Sequence, residues 1–180
     1  MKERFKQAAP YLGLPVILTA LVLLRAGKTD ALAMLQSGMI VVFGYIASVF
    51  DLRTKKLPNY LILVMISAWV LIMTPKLFLD TDKAIDMLID SLLGLAIGGG
   101  VFMLVYLISR KGLGGGDVKF MAATGLYLGF HKIVPATLCG TILAALTGLS
   151  LMALKKIGRK DKMPLAPFLY IGILLTVFFL

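Results

Sequence analysis

The sequence predicts an all-α polytopic membrane protein of about seven transmembrane helices. Three observations carry that expectation. First, 59% of the 180 residues are hydrophobic and the mean hydropathy is +0.94, above what soluble domains carry, and the excess falls in long blocks. Second, no charge lies deep inside any block. Backbone buried in hydrocarbon must close its own hydrogen bonds, and blocks of this kind do so as helices. Third, the net charge of +10 sits in the loops between blocks. That pattern is a topology signal rather than a nucleic-acid footprint, so no nucleic-acid partner is expected.

Taken in order, the first block covers about 10–26. It superficially resembles a signal peptide, but no small-x-small cleavage site leads into a soluble domain, so it reads as a transmembrane helix. The remaining spans are expected at 33–50, 58–74, 87–108, 117–130, 133–154 and 164–180. Each is near the roughly 20 residues that cross hydrocarbon, the fifth being the shortest. Pro58 suits a first helical turn, where a missing N–H costs nothing. The fourth span contains Gly94 and Gly98 at i, i+4, then Gly99 and Gly100, a close-packing face between helices. Asp90, near its outer boundary, reads as an exposed or capping acid. Pro164 and Pro167 suit a broken start to the last span. The chain thus divides into a tail with an extra helix, 1–32, and a six-helix core, 33–180.

Lys and Arg assign the sides. Fourteen of the nineteen fall on one side: Lys2, Arg4 and Lys6; Arg53, Lys55 and Lys56; Arg110, Lys111 and Lys119; and Lys155, Lys156, Arg159, Lys160 and Lys162. Arg25, Lys28, Lys76, Lys83 and Lys132 fall on the other. The positive-inside rule puts the first group, with the N-terminus, in the cytoplasm. Asp30, Asp80, Asp82, Asp86 and Asp90 then face outward, and the cytoplasmic side keeps Glu3, Asp51, Asp117 and Asp161. Asp51 ends the second span and Asp117 begins the fifth. Although 66 positions apart, both lie at the cytoplasmic boundary.

Each aspartate has an ordinary explanation to compete with. Asp117 can cap the helix it begins. Asp51 ends its helix, where a negative charge opposes the dipole, with Arg53, Lys55 and Lys56 nearby to offset it. As a pair they suggest chemistry. Two close carboxylates do not both ionise readily and share one proton. The ionised member takes a proton from water, and the protonated one polarises a carbonyl or protonates a leaving amine. Gly112, Gly114, Gly115 and Gly116 precede Asp117. An ordinary turn explains one or two of them; four suggest clearance for a substrate backbone. A phosphate loop is a poor alternative, because no strand precedes them and no GK[ST] follows.

Three stretches, "DLRTKKLPNYL" (51–61), "GLGGGDVKFMAATGLYLG" (112–129) and "MPLAPFLYIG" (163–172), resemble the signature regions of the type IV prepilin peptidases. These are GxGD-type aspartyl proteases of bacterial cytoplasmic membranes. The resemblance covers about 40–180, in the family's order. It implies that Asp51 and Asp117 are the two catalytic aspartates, on the first and fourth helices of a six-helix core, with Gly114 and Gly116 as the GxGD glycines and Gly115 between them. It implies a prepilin as substrate, cut at the cytoplasmic boundary to release a short basic leader, and no cofactor. Preflagellin-processing relatives are the near alternative. The chain has one Cys and no paired CxxC, the feature linked in many members to methylation of the new pilin N-terminus. It therefore resembles the stand-alone peptidases of Tad/Flp systems.

Other residues read more plainly. Asn59 either orients Asp51 or faces lipid headgroups. Lys119, two positions from Asp117, points away from it on a helix and suits headgroup contact. His131 and Cys139 look incidental, and no metal site is expected. "KKIGRKDK" (155–162) suits anionic lipid, while a basic leader would be repelled by it. A different class, a small transporter relaying protons or cations through Asp51 and Asp117, predicts mid-membrane acids and internal repeats; neither is seen.

Overall fold

The computed structural model describes residues 13–14, 17–22, 31–109, 113–155, 158 and 163–180. Every described element is helical, and no strand occurs among the described residues. From Ala31 onward there are five elements: α1 (Ala31–Thr54), α2 (Asn59–Leu79), α3 (Thr81–Ile108), α4 (Gly115–Ala153) and α5 (Ala166–Phe179). The first four are long and apolar enough to cross a membrane; α5 is apolar but has 14 residues. Large apolar side chains such as Leu71, Leu104, Leu149 and Phe179 point outward, as they must where the surroundings are lipid. The protein is an all-α membrane protein.

Among the described residues, five helical elements from Ala31 onward stand against the seven spans expected. The span predicted at 10–26 lies mostly outside the described residues, of which 13–14 and 17–22 are helical. The loop expected between the third and fourth spans is reduced to Asp80, because α2 runs on to Leu79 and α3 begins at Thr81. Charges at 76–86 had marked that loop. They are instead accommodated on helix ends: Asp80 caps α3, accepting from the Lys83 N–H at 3.4 Å, and Asp82 lies in its first turn. Acids there complement the helix dipole. Lys83 Nζ, 2.6 Å from Asp80 Oδ2, holds that exposed carboxyl below its ordinary range.

The spans expected at 117–130 and 133–154 are the two arms of α4. Gly129 breaks it with φ 70° and ψ 180°, a left-handed conformation that glycine adopts without penalty. A Cβ on Gly98 would stand 2.6 Å from Met121 O and 3.1 Å from Ile133 Cγ1. One unbroken helix would hold residues 121 and 133 about 18 Å apart. The chain therefore doubles back at Gly129, and residues 130–153 return beside 115–128. Asp90 secures the reversal: its Oδ1 accepts the Phe130 N–H at 3.1 Å, and a side chain at 129 would collide with its carboxylate. The acid expected to be exposed or capping is a cap, for a helix arm other than its own.

Packing joins the arms. The expected small-residue face of α3 meets one on α4: at Gly94 and Gly125 each backbone occupies the space where the other's Cβ would be. This is backbone-to-backbone contact of the small-xxx-small kind. Polar ties cross the core where helices meet. Tyr127 Oη donates to Met65 O at 2.6 Å, and Gln36 Nε2 donates to Tyr127 O at 2.9 Å. Phe120, Met121 and Ile133 of α4 and Leu169 and Ile173 of α5 are fully buried in the core. The alternation of direction leaves the end of α1 and the starts of α2, α4 and α5 together at one end of the bundle.

Candidate active site

Asp51 lies in the last turn of α1, on a buried stripe with Gly44, Ala47 and Ser48, the spacing of one helix face. It is 5% exposed. A carboxylate so buried requires hydrogen-bond donors. Its Oδ2 accepts the Ala166 N–H at 2.9 Å, and the Leu165 N–H adds to this. These N–H groups open α5, where the first donors of a helix have no intrahelical partner. Asp51 thus closes its own helix and caps another, and the dipole conflict expected at the end of α1 is offset by the positive start of α5. Ser48 Oγ, donating to Gly44 O at 2.8 Å, also reaches Ala166 O at 3.3 Å. The Tyr170 ring lies over Gly44 and edge-on to Tyr45, centroids 6.2 Å apart. Together these contacts seat α5 on α1.

Asp117 is the third residue of α4, half-buried. Its N–H donates to Gly114 O at 3.1 Å, and its carboxylate takes the Gly114 N–H in return. This reciprocal exchange matches the acidic half of a capping box. The carboxylates of Asp51 and Asp117 stand within electrostatic reach of one another.

The glycines ahead of Asp117 divide into separate tasks. A Cβ on Gly114 would fall 2.8 Å from Asp117 Oδ2, so glycine there leaves the carboxylate its place. A Cβ on Gly116 would press on Leu57 at 3.0 Å. The start of α4 thereby packs on the segment 55–58, which leads away from Asp51. Only at Gly115, of these three, is the space open to 4 Å. Gly112 lies outside the described residues. Besides any clearance the loop gives a substrate, Gly114 and Gly116 thus assemble the site from within.

Asn59 does not turn to Asp51. Its Oδ1 accepts from Lys119 Nζ at 3.0 Å, on the surface. The two residues are paired with each other, tying the start of α2 to α4. Pro164 and Pro167 bracket Leu165 and Ala166, with Pro167 in the first turn of α5. Leu165 and Ala166 were missed in the sequence, because their contribution is backbone. The signal was there in outline: a proline in a first helical turn marks a helix start, and a helix start exposes donors. Among the described residues no group of three His, Cys, Asp or Glu is placed to hold a metal ion.

The model of the type IV leader peptidase family matches residues 38–149, a range that contains both aspartates. Similar proteins include prepilin leader peptidase/N-methyltransferases of three bacteria. That of Xanthomonas campestris is 28% identical over 75% of this chain and 47% of its own length. That of Legionella pneumophila is 29% identical over 78% of this chain and 48% of its own. That of Bacillus subtilis is 29% identical over 47% of this chain and 34% of its own. The chain spans about half or less of the length of these relatives. No solved structure matches it.

Proposed function

The chain belongs to the type IV leader peptidase family, and from that premise we propose that it is a membrane aspartyl endopeptidase that removes the short basic leader of prepilin-like substrates. One observation carries the mechanism: the two carboxylates come from opposite halves of the sequence to one end of the bundle, within electrostatic reach. Asp51 and Asp117 are the catalytic residues of this reading, and Gly114, Gly115 and Gly116 form its active-site loop. One carboxylate takes a proton from water as the water oxygen bonds to the scissile carbonyl carbon. The other gives its proton to the carbonyl oxygen. The gem-diol then collapses, the leaving nitrogen receives the first proton, and the second returns to its carboxylate. No covalent intermediate and no cofactor enter.

The peptidase core comprises residues 33–180, counted as six helices with the two arms of α4 taken separately. Residues 1–32 add a tail and a further span, for seven in all. The active site faces the cytoplasm from a bacterial inner membrane, the side to which the basic loops assign it. Asn59, Lys119, Pro164 and Pro167 serve this site as structural supports. The test is leader cleavage of a co-expressed prepilin by wild type, Asp51→Asn and Asp117→Asn. Near wild-type cleavage by either variant ends the proposal.

A further inference from the structure

We propose that the two carboxylates hold fixed and unequal roles: Asp51 is the ionised member that takes the proton from water, kept so by the first turn of α5, and Asp117 carries the shared proton. This rests on the peptidase reading above and assigns each residue its step.

The two carboxyls differ in their donors. Asp51 is held by the N–H groups of Ala166, at 2.9 Å, and Leu165. A backbone N–H cannot reverse into an acceptor, so these donors favour the ionised carboxylate and offer a carboxyl proton no partner of their own. Hydrogen bonds to an ionised acceptor are the stronger ones, and the start of a helix favours negative charge. Asp117 takes one backbone donor, Gly114, and stands at the start of its own helix. Where one proton is divided between them, it rests on the carboxyl with fewer fixed donors.

The charged groups around the pair act in the same direction. Lys55, on the segment leaving α1, faces Asp51. The described residues that open α5, Met163 to Pro167, carry no charge. On α4, Asp117 is the charge that meets Asp51, while Lys119 is turned to Asn59. In catalysis Asp51 takes the water proton and Asp117 gives its own to the carbonyl oxygen. Collapse of the gem-diol passes the Asp51 proton to the leaving nitrogen and returns one to Asp117, restoring the resting pair.

Pro164 and Pro167 fit this arrangement. Pro167 occupies a first-turn position where no N–H is needed, which leaves the Leu165 and Ala166 N–H groups as the donors directed at Asp51. Leu165 and Ala166 are therefore positioning residues that act through Asp51.

The experiment uses the full chain in lipid nanodiscs with a purified prepilin. Lactic acid at position 166 replaces the Ala166 N–H by an ester oxygen and keeps the side chain. The control is the equivalent ester at Phe168, whose N–H donates to Leu165 O at 3.1 Å. The 166 ester is expected to move the acidic limb of the pH–rate profile to higher pH by about one unit, and the 168 ester to leave that limb in place. An unmoved limb at 166, or an equal movement at both positions, overturns the assignment. Wild type that cleaves no leader ends the peptidase reading instead. The carboxyl 13C signals of labelled Asp then decide the charge assignment separately, at the pH where the pair holds one proton. The assignment stands if the signal missing from Asp51→Asn is ionised and that missing from Asp117→Asn is protonated, and falls if they are reversed.

Discussion

The Asp51 carboxylate and the Ala166 N–H meet at 2.9 Å across 115 positions of sequence. The bond joins the end of α1 to the start of α5, and with Asp117 at the start of α4 it makes the site a meeting of helix ends.

A pair that works through one shared proton has a bell-shaped pH–rate profile. Below the acidic limb both carboxyls are protonated and no base remains; above the alkaline limb both are ionised and no acid remains. Asp51→Asn and Asp117→Asn are each expected to lower leader cleavage by at least about 10²-fold. The double variant should fall little further, since the two act as a unit. Cleavage followed by gel shift across a pH series measures both.

Gly114 and Gly115 separate geometry from flexibility. Gly114→Ala sets a methyl against Asp117 Oδ2, whereas Gly115→Ala meets nothing within 4 Å. A displacement of about 1 Å at reacting groups costs up to about 10²-fold. Cleavage by Gly114→Ala should therefore fall by at least about tenfold while Gly115→Ala stays near wild type, at equal folded yield. Equal rates for the two variants would contradict the packing described for the loop.

The α3–α4 seam predicts a stability effect. Gly125→Ala forces apart two backbones in contact, and overpacking of this kind costs about 1–3 kcal/mol. Gly100→Ala, with open space around it, should stay within about 0.5 kcal/mol of wild type. Denaturant unfolding in mixed micelles compares them.

Asp90→Ala removes the cap on the Phe130 N–H. A loss of about 1 kcal/mol is expected, with leader cleavage by the folded fraction unchanged, because the change lies at the far end of the bundle. A loss of activity beyond the loss of folded protein would mean that the two ends are coupled.

Lys119 and Asn59 tie α2 to α4 at the surface. A double-mutant cycle with Lys119→Met and Asn59→Ala should give a coupling below about 1 kcal/mol and a pH profile unchanged in shape. A shifted limb would make Lys119 part of the proton chemistry.

What the sequence conveyed followed from how directly each feature is written in side chains. Asp51 and Asp117 were legible because charge is scarce and both fall at one boundary. The packing face at Gly94 and Gly98 was legible from its spacing, but its partner Gly125 was not, since one glycine among apolar residues has no period. The reversal of α4 was expected a residue or more past Gly129, because only a dihedral angle marks the true position. The junction at Asp80 was read as a loop because its charges resemble one, while helix ends accept the same charges. The donors to Asp51 were hidden most completely, being backbone groups of a leucine and an alanine.

The two tight reversals, Asp80 and Gly129, lie at the end of the bundle opposite the aspartates, whereas the segment 55–58 lies beside them. In mechanical terms the far end is a set of pivots, and the near end is held by lateral ties, Ala166 to Asp51, Gly116 to Leu57 and Lys119 to Asn59. From Gly129 to Asp117 is about 18 Å of helix, so a tilt of about 5° at the pivot would carry that carboxylate through about 1.6 Å. A rotation that changed the gap between the two acids would therefore have to loosen those ties, but it would need no helix to unwind.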